Sequence, residues 1–192
     1  MLLFLISALM LSASISSVQP EALTPERRHQ IETLTESAGD ELTCLTISAD
    51  RRVAGDPAPL LEACRTRHGW NEEEAALALH TATLTRHALL ARRGLVRAGL
   101  DYSKIETVWL TLSEAETNLI ARANLANVTP ELNALIGTFP GRLRAAGITG
   151  PLEADAFAAL MVAVQAKENA RFFMEMRVRR GMQSGPAQTP GD

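Results

Sequence analysis

The stretch Ala156–Ala166 reads AFAALMVAVQA. Nothing in it interrupts a helix, and at about 3.6 residues per turn its apolar side chains point in every direction. A helix without a polar face belongs in the middle of a domain, enclosed by other helices. Lys167 and Glu168 end the apolar run well before the roughly 20 residues that a membrane span requires. The flanking sequence extends this helix over about Pro151 to Arg180, with Gly181 as its stop. The chain is thus expected to be an all-α single domain of seven or eight helices, built around a long C-terminal strut.

Signals further upstream fit that class. Thr24-Pro25-Glu26 supplies a cap, a proline at the first helical position and an acid in the first turn. Leu42–Ile47 and Leu60–Arg67 read as short helices on either side of the turn-rich connector RRVAGDPAP. Asn71 followed by Glu72, Glu73 and Glu74 is a strong helix start, because cap and acids complement the helix dipole. That helix is expected to reach Arg93 or Gly99, with Leu77, Leu84, Ala88, Ala91 and Leu95 as its apolar stripe. Further helices are predicted over Asp101 to about Leu112 and over Ser113 to Asn127. Thr129-Pro130 and Pro140–Ala146 each suggest another. No strand-period alternation is visible. Aromatics make up only 4% of the residues, which suits helix packing better than sheets.

The first charged side chain is Glu21, preceded by an apolar run from Leu2 to Leu11 and then by small residues. This is the pattern of a secretory signal peptide, expected over residues 1–17 with cleavage between 14 and 17. The Lys or Arg usual at such a start is absent, and an uncleaved anchor is the alternative. The all-α domain is then expected over residues 18–181, with a disordered Pro/Gly/Ser-rich tail from 182 to 192. A periplasmic or secreted location follows. The net charge of −3 identifies neither nucleic acid nor a membrane surface as a required partner.

Cys44 and Cys64 are the two cysteines of the chain. In an exported protein an even, small count reads as a disulfide. Closing a loop of about 20 residues is worth about 3 kcal/mol in the chain-entropy account. His68 lies one helical turn past Cys64, so metal ligation and a Cys64–His68 nucleophile are the competing readings. Cys44, Cys64 and His68 supply three ligands, but at a spacing that matches no zinc module; Cys64–His68 is the only local nucleophile–base candidate, and two buried free thiols are a further alternative.

Two groups of side chains are candidates for binding. Glu73, His80 and His87 recur every seven residues and form one column beside the apolar stripe. Neighbouring members stand about 10 Å apart along the axis, too far to share one metal ion directly. Gln165, Lys167, Glu168, Asn169, Arg171 and Glu175 form a polar patch directly after the all-apolar segment. A pocket is expected there if the helix stays central; otherwise the same residues pair one turn apart in solvent. No metal ion or cofactor is expected.

Other patterns carry less. Glu26-x-x-His29 is half of a di-iron carboxylate motif and has no second copy. GRLRAAGITGPLEADAFAAL resembles a helix-turn-helix on paper, with Arg142, Arg144, Arg177, Arg179 and Arg180 as phosphate contacts. Its second helix starts acidic and then turns wholly apolar, which is wrong for a groove-facing helix. Asn127-Val128-Thr129 is a formal glycosylation acceptor. No hydrolase triad, phosphate loop or His-Glu-x-x-His is visible.

ALTPERRHQIETL, Ala22–Leu34, resembles the Leu-Thr-Pro-Glu-Gln-Arg opening of small periplasmic helical stress proteins, the Spy/CpxP-like chaperones and their metal-resistance relatives. It covers about a dozen residues, with Arg27 in place of the motif's Gln, and implies an exported helical binding protein. The expectation is a non-enzymatic binding module for a protein, a peptide or a small apolar ligand. The alternatives are an all-α enzyme or metal-binding protein using His80/His87 or Lys167/Glu168, and a structural subunit of a cell-envelope assembly.

Overall fold

The computed structural model describes residues 24–37, 40–50, 57–123 and 128–183. The expected leader, residues 51–56 of the connector, Asn127 and the tail beyond Gln183 lie outside the described residues. Eight α-helices occur among those described: α1 (Pro25–Ser37), α2 (Glu41–Ala49), α3 (Ala58–His68), α4 (Glu72–Arg97), α5 (Ser103–Leu110), α6 (Glu114–Ala121), α7 (Pro130–Ala145) and α8 (Glu153–Gln183). A single 3₁₀ turn, Gly150–Leu152, leads into α8. The chain is all-α, as its patterning predicts.

The long helices α4 and α8 form an antiparallel pair. The start of α4 meets the end of α8 at Glu74 and Arg177, and Leu95 at the far end of α4 shares a cluster with Ala156–Val164. Apolar side chains collect at the two ends of this pair. α1, α2 and α3 enclose one end, with Ile31, Leu45, Leu60, Trp70 and Phe173 at its centre. α5, α6 and α7 enclose the other, around Ile105, Ile120, Phe139 and Leu160. The apolar run of α8 contributes Ala156, Ala159, Leu160, Met161 and Val164 to this second cluster, and Ala166 is buried as well. Phe157, Val162 and Ala163 are half-buried and Ala158 is exposed, so the run is central to the domain but not enclosed on every side.

Several local expectations are corrected. The face that α4 buries is Glu74, Ala78, Thr81, Ala82 and Leu95. Leu77, Leu84, Ala88 and Ala91 flank it, half-buried. Leu95 is buried as expected, while toward the start of α4 the buried line runs through Glu74, Ala78, Thr81 and Ala82 instead of Leu77 and Leu84. Pro130–Ala145 is one helix, not two. An interior proline costs about 3 kcal/mol. Leu135, Phe139 and Leu143, spaced one turn apart, are all buried on one face of α7. Each contributes about 1.5–3 kcal/mol, which outweighs the break at Pro140. α6 stops at Ala121 and not at Asn127. Met182 and Gln183, expected in the disordered tail, continue α8.

The two cysteines form a disulfide that joins α2 to α3, with Cα atoms 6.3 Å apart and both residues fully buried. The Cys44→Ser/Cys64→Ser variant is expected to lose about 3 kcal/mol, the cost of releasing a 20-residue loop in the unfolded chain. Urea denaturation followed by circular dichroism measures this. An unchanged midpoint would show that packing alone holds α2 against α3.

Candidate functional site

The turn between α3 and α4 sets up a heavily bonded buried polar group. Gly69 adopts the left-handed conformation (φ 63°) that ends α3. Trp70 then enters the core and Asn71 caps α4. The capping box is reciprocal: Asn71 Oδ1 accepts from the Glu74 N–H at 2.8 Å, and Glu74 Oε2 accepts from the Asn71 N–H at 2.7 Å. Glu72 and Glu73 are exposed, but Glu74 is only 1% exposed. A carboxylate this deep costs several kcal/mol unless it is paired, and α8 supplies the pairing. Arg177 Nη1 donates to Glu74 Oε1 at 3.0 Å, and Arg180 bonds the other oxygen. Arg177 also donates to Glu41 on α2 (2.7 Å) and to the His68 carbonyl at the end of α3 (2.8 Å). Two guanidiniums and two carboxylates therefore tie α2, α3, α4 and α8 together. Burial by itself would raise the Glu74 carboxyl. The Asn71 N–H, the Arg177 hydrogen bond and the charges of Arg177 and Arg180 outweigh it and hold the group below its ordinary value of 4.5.

His68 stands beside this network. Its Nε2 lies 3.7 Å from Cys44 Sγ, and its ring stacks on Trp70 at 5.9 Å. The sequence pairs His68 with Cys64; the fold sets it against Cys44. Burial pushes the imidazole below 6.5, against the pull of Glu41. With both sulfurs in the disulfide, no thiolate is available here as a nucleophile.

The two predicted binding groups are not brought together. Glu73, His80 and His87 are all exposed on α4. Gln165 is a structural donor: its amide bonds the Ile120 and Ala123 carbonyls at 3.2 and 3.1 Å and so caps the end of α6. Lys167 lies over the Trp109 ring at 5.0 Å. Glu168 pairs with Arg171 at 2.8 Å, and Arg171 and Arg179 both approach Glu175 at 3.8 Å. The arginines read as phosphate contacts are also engaged within the fold. Arg142 pairs with Glu116, and Arg144 Nε bonds the Pro140 carbonyl at 3.0 Å. Glu26 and His29 are exposed on α1, with His29 4.0 Å from Glu32.

The polar patch on α8 does border concave surface. A cleft of about 360 Å³ lies between α6 and α8, lined by Asn118, Arg122, Glu168, Asn169, Arg171 and Phe172. A second, of about 280 Å³, lies between α4 and α8, lined by Asn71, Glu73, Phe172, Met176 and Arg179 among others. Phe172 belongs to both and is 53% exposed, while its neighbour Phe173 is fully buried against Trp70. A third, apolar cleft of about 270 Å³ lies between α7 and α8 around Phe139 and Phe157. Neither His80 nor His87 lines any of the three.

Phe172, Asn118 and Arg122 were not legible as site residues. One signal was available for Phe172: adjacent residues on a helix point about 100° apart, so of two consecutive phenylalanines at a core edge one is turned away from the core centre. Among the described residues no helix is long and apolar enough to cross a membrane. No known protein family, curated protein or solved structure matches the chain. The short resemblance at Ala22–Leu34 thus has no family assignment behind it.

The Glu74 network makes a pH-dependent contribution with a defined sign. A carboxyl whose folded pKa lies below its unfolded value stabilises the fold above the unfolded value, and that stabilisation is lost as pH falls through the folded one. Glu74→Gln is expected to lose about 3 kcal/mol at pH 7. The gap to the wild type should then narrow as pH falls below 4.5. Urea titrations at a series of pH values read both quantities, and a gap that stays constant into acid would contradict this assignment.

Proposed function

We propose that this chain is an exported, non-enzymatic binding module, and that its ligand is a peptide or protein segment laid along α8 across Phe172. The observation that carries this reading is the half-exposed Phe172 ring set between two clefts. An aromatic that stays out of the core offers a large contact area at low conformational cost, and residues of this kind dominate binding energies. The concave surface runs from Glu168 to Arg179. At 1.5 Å per residue that is about 16 Å, the length of about five residues of extended chain. Apolar contact at Phe172 and Met176, with charged and carboxamide groups on either side, suits a peptide better than a purely apolar small molecule.

Export is supported by the apolar run at Leu2–Leu11 and by the disulfide, a bond that persists in oxidising compartments. The alternative, an enzyme or metal-binding protein using His80/His87 with Lys167/Glu168, draws less support. Of these four residues only Glu168 lines one of the three clefts. A role as a structural envelope subunit has no specific observation in its favour.

A peptide array tests the reading. The oxidised protein is expected to bind a subset of extended apolar peptides, and Phe172→Ala to weaken that binding at least fivefold while keeping its circular dichroism spectrum. Binding unaffected by Phe172→Ala, or absent from the whole array, would overturn it.

A further inference from the structure

The charges around the α6–α8 cleft are unbalanced, and the imbalance specifies what fits there. Arg122, Arg171 and Glu168 are its charged lining. Glu168 is taken by Arg171 at 2.8 Å. Arg122 is exposed and has no ion-pair partner among the described residues. The cleft therefore carries about one uncompensated positive charge, on a chain whose net charge is −3. Asn118 on α6 and Arg122, the residue that caps its C-terminus, both line this cleft, so a carboxamide and a guanidinium border the same space. Asn169 Nδ2 is bonded to the Gln165 carbonyl, which fixes that side chain on the opposite wall.

The end of α6 would ordinarily oppose an anion here, because the last carbonyls of a helix carry partial negative charge. Gln165 removes part of that opposition by donating its amide to the Ile120 and Ala123 carbonyls. Phe172 closes the cleft on its third side with an apolar ring. The lining is thus the Arg122 guanidinium, unpaired among the described residues, the Arg171 guanidinium already held by Glu168 and Glu175, carboxamide capacity at Asn118 and one aromatic face. Guanidinium is the side-chain group best matched to a carboxylate, through two parallel N–H bonds.

We infer that this cleft is a carboxylate-recognition site: the bound peptide places a carboxylate at Arg122, flanked by Arg171 and Asn118, and packs an adjacent apolar side chain on Phe172. The inference rests on the peptide-binding reading above and deepens it. The same chemistry can come from a C-terminal carboxylate or from an acidic side chain.

The test uses the full oxidised chain, ¹⁵N-labelled, and three random pentapeptide pools: free C-terminus, C-amidated without acids, and C-amidated with one central aspartate. The free pool or the aspartate pool is expected to shift the amides of Arg122 and Phe172 with at least fivefold higher affinity than the plain amidated pool. Whichever of the two binds more tightly identifies the source of the carboxylate. Arg122→Gln, at an exposed position, should abolish that preference while leaving the rest of the spectrum in place. Equal affinity for all three pools at Phe172 would overturn the carboxylate site and leave the peptide-binding reading standing. No shift at Phe172 with any pool would overturn both. A preference that survives in Arg122→Gln would place the recognition elsewhere.

Discussion

One buried carboxylate ties together four of the helices. Glu74 sits at the first turn of α4, where a capping box already constrains it, and receives Arg177 and Arg180 from the far end of α8. Those partners are 103 and 106 residues away in sequence. An unpaired charge at this depth is strongly destabilising, so any packed arrangement that buries Glu74 without Arg177 and Arg180 beside it is penalised. To the packing of Phe173 against Trp70, a guanidinium held between two carboxylates adds a directional constraint. The network therefore fixes the rotation of the last turns of α8. Glu41 adds α2 to the same tie, and the disulfide adds α3 to α2.

That rotation determines which side chains α8 offers to solvent. With Arg177 turned toward α4 and α2, Phe173 falls into the core beside Trp70, and Phe172, one residue earlier, is left outside. The clefts on either side of Phe172 follow from the same setting. The groups that could bind a ligand are thus held by a rigid pair of long helices rather than by loops, which favours a preformed surface.

Much of the fold was legible because its signals are local. The unbroken apolar character of Ala156–Ala166 announces a central helix, and Asn71/Glu74 and Ser113/Glu116 mark helix starts by capping chemistry that acts over three residues. What escaped depends on distant partners. Glu72, Glu73 and Glu74 look alike as first-turn acids, and only the position of Arg177 separates the buried one from its exposed neighbours. Arg177 and Arg180 look like surface cations until Glu74 is known to be beneath them. Gln165 belongs to the predicted polar patch, yet its amide closes the end of α6. The Glu73/His80/His87 column is evenly spaced but exposed, because periodicity gives a common face without saying what that face meets.

The most direct test of this account is amide hydrogen exchange along α8 in Arg177→Leu, compared with the wild-type protein. If the charged network sets the rotation of the helix end, protection should fall over residues 170–180 and persist over Ala156–Val164, which apolar packing holds. Unchanged protection at residues 170–180, or an equal loss along the whole helix, would contradict it.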